Sequence, residues 1–329
     1  MSLARPACGH ERTPMTTALI FPGQGSQTPG MGKALAETFV AARDVFAQVD
    51  DELGENLSRL IFEGPEAELT LTANAQPALM AVSLAAMRVL ELEAGLDLKR
   101  DIAFVAGHSL GEYSALAAAG SLGIADAARL LRLRGEAMQR AVAPGEGAMA
   151  ALLGIEPEAA ARVADAAAVE TGLVCQVAND NGGGQVVVSG DKAAVGRAME
   201  LAKAAGARRA VLLQVSAPFH CALMQPAAAE MQAALAEVRM GAPKVPLVAN
   251  VLAAHVRDPS QIKPLLVRQV TGTVRWRESV TFMAAHGVTH FVEVGAGKVL
   301  AGLVKRIAEG ATSACVGTPA DVEAFRARI

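Results

Sequence analysis

A serine between two glycines is the residue of this sequence best suited to covalent chemistry. The segment GHSLG at residues 107–111 follows the apolar run 102–106 and precedes residues 112–119, which are rich in good helix formers. Strand, sharp turn and helix are the context that a G-x-S-x-G nucleophile elbow requires. The two glycines permit a turn in which a Cβ would collide with neighbouring backbone. This context favours a nucleophilic Ser109 over an inert serine in an ordinary strand-to-helix turn.

The same turn would put a backbone donor beside the serine. Leu110 follows Ser109 and begins the predicted helix, so its amide N–H would lie at a helix N-terminus. An N–H at that position can stabilise the oxyanion that forms when a serine attacks a carbonyl carbon. The sequence therefore predicts the amide of Leu110 as one oxyanion donor.

A serine hydroxyl also needs a neighbouring base to take its proton, and the chain has six histidines. His220 is the strongest candidate because it lies in a Pro-Phe-His loop where a small inserted unit rejoins the rest of the chain, and such loops line clefts. The alternative for His220 is a structural role. His108 is expected to point away from Ser109, and the others lie in a tail, a polar loop or beside a turn: His10, His255, His286 and His290.

No carboxylate stands out as the third member of a triad. In an α/β-hydrolase the acid falls between the serine and the histidine in the chain. Between Ser109 and His220 the acidic residues lie mainly in predicted helices or in the small unit. The sequence therefore predicts a serine–histidine dyad, or a histidine that a backbone carbonyl orients.

An arginine on an apolar helix face is the second unusual feature. In the predicted helix 124–142, Arg134 has apolar neighbours one turn before and one turn after it, whereas Arg132 shares a face with other charged residues. A buried arginine needs an anionic partner. That partner could be an internal carboxylate or the carboxylate of a substrate. Alternatively, the side chain of Arg134 could snorkel and bring its charge to solvent.

A glycine-rich loop at residues 22–27 connects the predicted strand 16–21 to a predicted helix at 33–50. Its spacing does not fit nucleotide binding, because the third glycine of G-x-G-x-x-G is replaced by Thr28 and no G-K-[ST] follows. The loop is either an ordinary strand-to-helix turn or a source of backbone N–H groups for a nearby site.

Strands alternate with helices through most of the chain, which predicts an α/β fold with a mostly parallel sheet covered on both faces. Residues 145–215 instead read as strand, helix, strand, strand, helix, strand, with a hairpin turn at 179–183. That order is ferredoxin-like. We therefore predict a large α/β-hydrolase-like catalytic domain, 16–144 and 216–329, interrupted by a small ferredoxin-like domain, 145–215.

Composition excludes several other classes of function. The net charge is −3, and no basic stripe with interleaved aromatics is present, so nucleic acid is not an expected partner. Charged or polar residues interrupt the longest apolar runs, so no membrane span is expected. Four cysteines without C-x-x-C spacing indicate a reducing, cytoplasmic location and no metal site. Residues 1–15 read as a disordered tail, and no cofactor is implied.

Several segments, taken together, resemble the malonyl-CoA:acyl carrier protein transacylase family over about residues 15–307. They are FPGQGSQ at 21–27, GHSLGEY at 107–113, RG at 134–135, APFHCALM at 217–224 and EVGAGKVL at 293–300. The resemblance implies a monomeric acyltransferase without a cofactor. It would move a malonyl group from malonyl-CoA to the phosphopantetheine thiol of acyl carrier protein in fatty acid biosynthesis, although the sequence does not separate this pathway from polyketide synthesis.

The resemblance also assigns roles to residues. It implies that Ser109 carries the malonyl ester and that His220 is its base, oriented by the backbone carbonyl of Gln269. Arg134 would bind the malonyl carboxylate, and the amide of Gln24 would join that of Leu110 as an oxyanion donor.

Two further positions bear on substrate choice and loop stiffness. The resemblance associates Phe219, beside the histidine, with malonyl rather than bulkier branched groups. Ala296 departs from the proline that many family members have, which should affect the stiffness of its loop rather than the chemistry.

Two other functions fit parts of the same pattern. A serine esterase or thioesterase would use the elbow but would require a triad carboxylate and has no use for a buried arginine. A non-catalytic scaffold that binds carrier protein would tolerate the loss of Ser109 or His220, and the chain has both.

Overall fold

The computed structural model describes residues 16–327, so the predicted tail at 1–15 lies outside the described residues. The strands are β1 (Thr16–Phe21), β2 (Ile102–Gly107), β3 (Gly147–Leu153), β4 (Cys175–Gly182), β5 (Gln185–Asp191), β6 (Arg209–Leu212), β7 (Leu247–Ala249), β8 (Ala254–Val256), β9 (Val288–Val294) and β10 (Thr312–Val316). The helices are α1 (Lys33–Thr38), α2 (Val40–Leu53), α3 (Leu57–Glu63), α4 (Glu66–Leu69), α5 (Thr72–Glu93), α6 (Leu98–Asp101), α7 (Gly111–Ala118), α8 (Ile124–Arg140), α9 (Pro157–Thr171), α10 (Lys192–Ala204), α11 (Gln225–Glu237), α12 (Pro259–Thr271), α13 (Trp276–Ala285), α14 (Val299–Ile307) and α15 (Pro319–Arg326).

The larger sheet has the strand order β10-β9-β1-β2-β7-β8. Strands β10, β9, β1, β2 and β7 run parallel, and β8 is antiparallel to β7 at the edge. Leu19 and Phe21 of β1 face one apolar core, whereas Ala18 and Ile20 face a second core on the other side. Helices cover both faces, which explains why these strands are apolar throughout. The predicted α/β fold with a mostly parallel sheet is confirmed.

Helix α5 is the central helix of one layer and packs against α2, α7 and α8. Its length and composition would suffice to cross a membrane, but 83% of its most apolar window is buried inside the protein. This burial is what a core helix of a globular domain shows, so its apolar surface is already covered by protein.

The sequence around Gln76 and Pro77 predicts a helix from Asn74 with the proline in its first turn, but α5 begins at Thr72 and Pro77 lies in its second turn. Proline cannot donate a hydrogen bond to the carbonyl four residues earlier, which is that of Ala73. The Nη1 of Arg132 donates to this carbonyl instead, at 2.8 Å. Sharing a helix face with other charged residues predicts a solvated arginine, but the side chain of Arg132 also pairs with Glu55 and is only 16% exposed, so that prediction was wrong.

The predicted helix 33–50 is also wrong in its continuity. Phe39 is extended, with φ −117° and ψ 128°, and separates α1 from α2. Breaking the helix frees carbonyl groups at the end of α1, and Arg43 donates to the carbonyl of Ala36 at 3.0 Å. A side chain from the second helix thus caps the first.

The second sheet is antiparallel, with the strand order β4-β5-β3-β6. Helices α9 and α10 pack against each other and against this sheet, over a core made mostly of alanine and valine. Met149, Ala151 and Val187 point the other way and join a core of the larger part of the chain. The small sheet therefore lies with one face against its own helices and the other toward the large sheet's layer.

The predicted hairpin turn at 179–183 is instead largely the end of β4, and the chain reverses at Gly183 and Gly184. Asp180 is buried, and its Oδ2 accepts from Arg277 Nε at 2.8 Å. Its backbone N–H donates to the carbonyl of Val274 at 3.0 Å. The polar residues that suggested a turn are satisfied by partners in the larger part of the chain, so tertiary contacts override their local preference.

Candidate active site

The GHSLG segment forms a sharp turn between β2 and α7. Ser109 has φ 53°, which is a left-handed conformation uncommon outside glycine and costs backbone strain. A Cβ on Gly107 would lie 1.9 Å from the carbonyl oxygen of Gly111, and a Cβ on Gly111 would lie 2.3 Å from that of Phe21. The collisions that the sequence predicted for the two glycines are therefore present, and they involve backbone that cannot move aside.

Asn250 holds the strained turn in place. It directly follows β7, the neighbour of β2, and it is fully buried. Its Oδ1 accepts from the N–H of Ser109 at 2.8 Å, and its Nδ2 donates to the carbonyl of Gly107 at 2.7 Å. One side chain thus satisfies a backbone donor and a backbone acceptor of the elbow.

His220 meets the serine across the cleft. Its Nε2 lies 2.8 Å from Ser109 Oγ, and its Nδ1 lies 2.8 Å from the carbonyl oxygen of Gln269 and 3.2 Å from that of Gly272. Since carbonyl oxygens only accept, Nδ1 carries the proton and Nε2 is the acceptor for the serine hydroxyl. Among the described residues no carboxylate bonds this ring, in keeping with the predicted dyad or carbonyl-oriented histidine.

Burial keeps the imidazole uncharged. His220 is 4% exposed, and burial, with the charge of Arg134 as the second cause, lowers its pKa from 6.5 to about 3. Both effects disfavour the protonated form. The resting site therefore has a neutral histidine at the pH values where most enzymes work, which is the state that a general base requires.

This pKa leads to a testable pH profile. We expect the rate at which a neutral fluorophosphonate inactivates the protein through Ser109 to stay level as the pH falls through 6.5, because His220 remains unprotonated until the pH approaches about 3. The charged and titratable groups acting on this ring are Arg134 and His108. A fall in the inactivation rate centred near pH 6.5 would contradict the assignment of a buried, neutral base.

The guanidinium of Arg134 lies beside the same serine. Arg134 is 1% exposed, so its charge does not reach solvent as a snorkelling side chain would. Nη1 donates to Gln76 Oε1 at 2.8 Å, and Nη2 donates to Gln269 Oε1 at 2.8 Å and to Ser109 Oγ at 3.1 Å. All three acceptors are neutral. Within residues 16–327, no carboxylate forms an ion pair with this buried cation, and its Nε has no partner.

Ser109, His220 and Arg134 line one cleft of about 320 Å³ between the two sheets. Phe219 is 8% exposed and lines it beside the histidine. Residues from the small sheet and the segment after β6 close the opposite side: Met149, Asn179, Leu213, Gln214 and Val215. The apolar pattern at 208–215 predicts a strand of that length, but β6 ends at Leu212, and the three residues after it form part of the cleft wall.

The backbone amides of two cleft residues, Leu110 and Gln24, have no protein acceptor among the described residues. Leu110 is the N-cap of α7, and Gln24 belongs to the loop after β1. Both residues line the cleft. The side chain of Gln24 donates to Thr72 Oγ1 at 3.1 Å, which anchors this loop to the start of α5. The loop therefore lies beside the serine, as the second of its two predicted alternatives requires.

The remaining described histidines occupy other surroundings. His108 Nε2 lies 2.9 Å from Asn181 Oδ1, so its ring is directed to the small sheet rather than to the serine. His255 lies on the edge strand β8 and contacts His286 at the end of α13, not in a loop as predicted. The place of His290 beside a turn predicts a surface or helix-end residue, but His290 is buried in β9, so that prediction was wrong.

Sequence reasoning missed three polar residues of this site, namely Asn250, Gln76 and Glu112. Asn250 follows the apolar segment VPLVA at 245–249, which is typical of a buried strand. Polar residues at the carboxyl ends of parallel strands often belong to sites, so that signal was available. Gln76 and Glu112 lie in helices whose patterns predict only burial or solvation. Their contacts follow from how those helices pack, which the sequence pattern does not encode.

With this geometry in place, comparison with known proteins shows close relatives. The acyl transferase domain family matches residues 18–324. The chain is similar to malonyl CoA-acyl carrier protein transacylase of Bacillus subtilis (strain 168), at 47% identity over 93% of the chain and 95% of that protein. It is also similar to the crystal structure of acyl-carrier-protein-S-malonyltransferase from Bartonella henselae, at 57% identity and a TM-score of 0.91, over 94% of the chain and 98% of the other.

A third relative is a solved complex described as a type II PKS acyl-carrier protein with its malonyl-transacylase. It is 42% identical, with a TM-score of 0.91, and covers 95% of the chain and 100% of the other. Identity at this level over almost the whole length, together with a matching fold, shows common descent rather than a shared motif. The chain therefore belongs to the acyl transferase family, and within it to the malonyl CoA-acyl carrier protein transacylases.

Proposed function

We propose that this acyltransferase moves a malonyl group from malonyl-CoA to the phosphopantetheine thiol of an acyl carrier protein, through an ester on Ser109. The observation that carries the proposal is the guanidinium of Arg134. It is buried in the cleft, 3.1 Å from the serine oxygen, and no described carboxylate forms an ion pair with it. An acyl group that ends in a carboxylate supplies the missing anion. A carrier protein as acceptor is supported by the relative solved in complex with one.

The first half-reaction forms the acyl-enzyme. His220 Nε2 accepts the hydroxyl proton as Ser109 Oγ attacks the thioester carbon. The negative charge that develops on the carbonyl oxygen meets the amides of Leu110 and Gln24, and one such donor typically lowers the barrier by about 3 kcal/mol. The tetrahedral adduct collapses to the ester, and the CoA sulfur leaves with the proton from His220.

The second half-reaction uses the same groups in reverse. The thiol of the carrier's phosphopantetheine enters the cleft, and His220 takes its proton as the sulfur attacks the ester carbon. Ser109 then leaves and recovers its proton from the histidine. Water competes with the thiol for the ester, so transfer is favoured over hydrolysis when the acyl group and the entering phosphopantetheine together exclude water from the cleft.

Intact-mass measurement with a chase tests this function. The protein is mixed with malonyl-CoA, and the ester that forms is then exposed either to buffer or to phosphopantetheine-loaded carrier protein. We expect one malonyl group per chain that is stable in buffer and lost rapidly to the carrier. An ester that hydrolyses in buffer as fast as it transfers to the carrier would instead identify a thioesterase.

Arg134→Ala provides a test of the carboxylate pairing. Acetyl-CoA leaves the buried cation unpaired in the wild type, and breaking a buried pair costs roughly 3–5 kcal/mol. We therefore expect the wild type to prefer malonyl-CoA by a factor of about a hundred or more in kcat/KM, and Arg134→Ala to lose malonyl transfer while keeping acetyl transfer. Arg134→Lys should restore little, because an ammonium cannot make the two-pronged contact.

Arg132→Ala is the matched control, since Arg132 lies on the same helix but bonds to the backbone of Ala73. It should leave the ratio of the two kcat/KM values unchanged. If Arg134→Ala lowers both thioesters by one factor, then Arg134 serves to hold the helix and the carboxylate pairing is refuted.

We also propose a division of the chain into two domains. Residues 145–215 would be a ferredoxin-like domain inserted into an α/β-hydrolase-like catalytic domain, 16–144 and 216–329. The strand–helix order of the small unit and its strand order β4-β5-β3-β6 support this division. We also propose that the protein is a monomer without cofactor or metal. It would be located in the cytoplasm and would supply fatty acid biosynthesis. Phe219, packed beside His220, would keep bulkier branched acyl groups out.

A further inference from the structure

A buried glutamate beneath the elbow has no part in the reaction steps above. Glu112 lies in the first turn of α7, three residues after the serine, and is 1% exposed. Its Oε2 accepts from the backbone N–H of Asn250 at 3.0 Å and from Gln269 Nε2 at 2.9 Å. Burying a carboxyl group is unfavourable unless its contacts compensate. The two hydrogen bonds that Glu112 accepts are therefore the reason for its burial near Ser109.

Glu112 determines which way the side-chain amide of Gln269 points. Gln269 Nε2 faces the glutamate and also donates to the carbonyl of Ser109 at 3.0 Å, while Oε1 accepts from Arg134 Nη2 at 2.8 Å. The reverse orientation would place the amide NH₂ against the guanidinium, donor against donor, and its oxygen against two acceptors. The glutamate oxygen thus favours the one orientation in which Gln269 can hold Arg134.

This series of hydrogen bonds ends at the guanidinium of Arg134, the group that would bind the acyl carboxylate. Gln76 and Gln269 hold the two terminal nitrogens of Arg134. Removing either hydrogen bond would let the guanidinium rotate within the cleft. A two-pronged contact with a carboxylate depends on the plane in which the guanidinium lies. The backbone carbonyl of Gln269 separately orients His220, so side-chain and backbone functions of this residue can be separated by substitution.

The role requires an acceptor oxygen and not a charge. Burial raises the pKa of Glu112 to about 7, and the charge of Arg134 partly opposes this rise. Tyr113, its neighbour in α7, and His220 are the other titratable groups near Arg134. Whether the carboxyl is ionised or protonated at Oε1, its Oε2 can accept both hydrogen bonds. An amide oxygen in the same place could do so as well.

We propose that Glu112 is a positioning residue for acyl selection: through the side chain of Gln269 it holds Arg134 in the orientation that accepts a carboxylate-bearing acyl group. This inference rests on the proposed function, because it concerns the choice between malonyl and uncharged acyl groups. It adds to that function a residue that touches neither the substrate nor the reacting atoms.

The test compares kcat/KM for malonyl-CoA and acetyl-CoA in two variants of Glu112. Glu112→Leu removes the acceptor and frees the Gln269 amide, which weakens the charge-assisted hydrogen bond from Arg134 to Gln269 Oε1. The malonyl-over-acetyl ratio should therefore fall by about tenfold or more. Glu112→Gln keeps an acceptor oxygen and should retain most of the ratio. A purely structural defect would lower both substrates together and leave the ratio unchanged.

Glu293→Leu is the matched control. Glu293 is also buried, and it accepts from the backbone N–H groups of Leu300 and Ala301 at the start of α14. Its replacement should cost stability, measured as the midpoint of thermal unfolding, without changing the malonyl-over-acetyl ratio. A ratio that falls equally in Glu293→Leu would overturn the inference, because any lost buried carboxyl would then suffice.

Gln269→Leu keeps the test decisive if Glu112→Leu does not fold. It removes the side-chain amide but retains the carbonyl that bonds His220, so the same fall in the ratio is expected. An unchanged ratio in Gln269→Leu or Glu112→Leu, or a full loss of it in Glu112→Gln, overturns the inference while the proposed function stands. If the wild type shows no preference for malonyl-CoA, the proposed function itself fails, and the inference with it.

Discussion

Ser109→Ala is expected to form no malonyl adduct when mixed with malonyl-CoA, at times when the wild type is fully acylated. The alanine retains the backbone of the elbow and the amide of Leu110, so the thioester can still bind. It lacks the oxygen that forms the ester, and no other described side chain bonds both His220 and Arg134 as this serine does. Intact-mass measurement over the time course gives the acylated fraction directly.

Ser114→Ala is the control for this experiment. Ser114 is a fully buried serine in the same helix, α7, and its hydroxyl has no hydrogen-bond partner among the described residues. Its replacement should leave the malonyl adduct at the wild-type level. An adduct that persists on Ser109→Ala would remove that serine from the nucleophile role and direct peptide mapping to another side chain.

His220→Ala is expected to slow acylation by a factor on the order of a thousand or more. The variant loses the acceptor for the serine proton and the donor that protonates the leaving sulfur. Its rate is best measured in single-turnover mixing, because acylation is then separated from transfer to the carrier. The space left by the ring lies beside two carbonyl oxygens that can orient an imidazole, so added imidazole should restore part of the rate.

His286→Ala is the matched control, because its ring bonds only to the carbonyl of Phe282, at 2.8 Å, among the hydrogen bonds of the described residues. It should acylate at the wild-type rate. Near-normal acylation in His220→Ala would show that another group takes the proton, and the search would then turn to His108, the other histidine that lines the cleft.

Backbone strain is concentrated where these two catalytic candidates lie. Among the described residues, three other than glycine have positive φ, and two of them are Ser109 at 53° and His220 at 59°. Such conformations cost of order 1–3 kcal/mol each and persist only where surrounding contacts maintain them. Here Asn250 holds the serine turn and the carbonyl of Gln269 holds the histidine. The strain keeps Oγ and Nε2 within hydrogen-bond distance before substrate binds.

The relative placement of the two sheets defines the cleft. A parallel bridge pairs Asn179 with Val274, and the pair of Asp180 with Arg277 lies beside it. Asn181 Oδ1 contacts His108 Nε2 in the same region, at 2.9 Å. The segment predicted as a hairpin turn thus joins the small sheet to the catalytic layer, on one side of the cleft.

The sequence by itself determined the features that depend on neighbouring residues. The alternation of strands and helices predicts the parallel sheet, because each apolar strand needs cover on both faces. The GHSLG turn can be recognised for the same reason, since its residues are contiguous in the chain and the close approach of Gly107 to Gly111 lies within the motif. The buried position of Arg134 follows from helical spacing. These are local constraints, and they appear as local patterns.

Only the tertiary structure decided what surrounds those features. His220 meets Ser109 across 111 residues of chain, and the side chain of Gln269 reaches the serine carbonyl across 160. Polar contacts over such separations leave no periodic signal, because one amide or carboxyl in a helix changes its pattern very little. That no carboxylate within residues 16–327 forms an ion pair with Arg134 likewise became known only when every described neighbour was placed. Packing of distant helices and loops therefore converts a strained serine and a buried arginine into a single site.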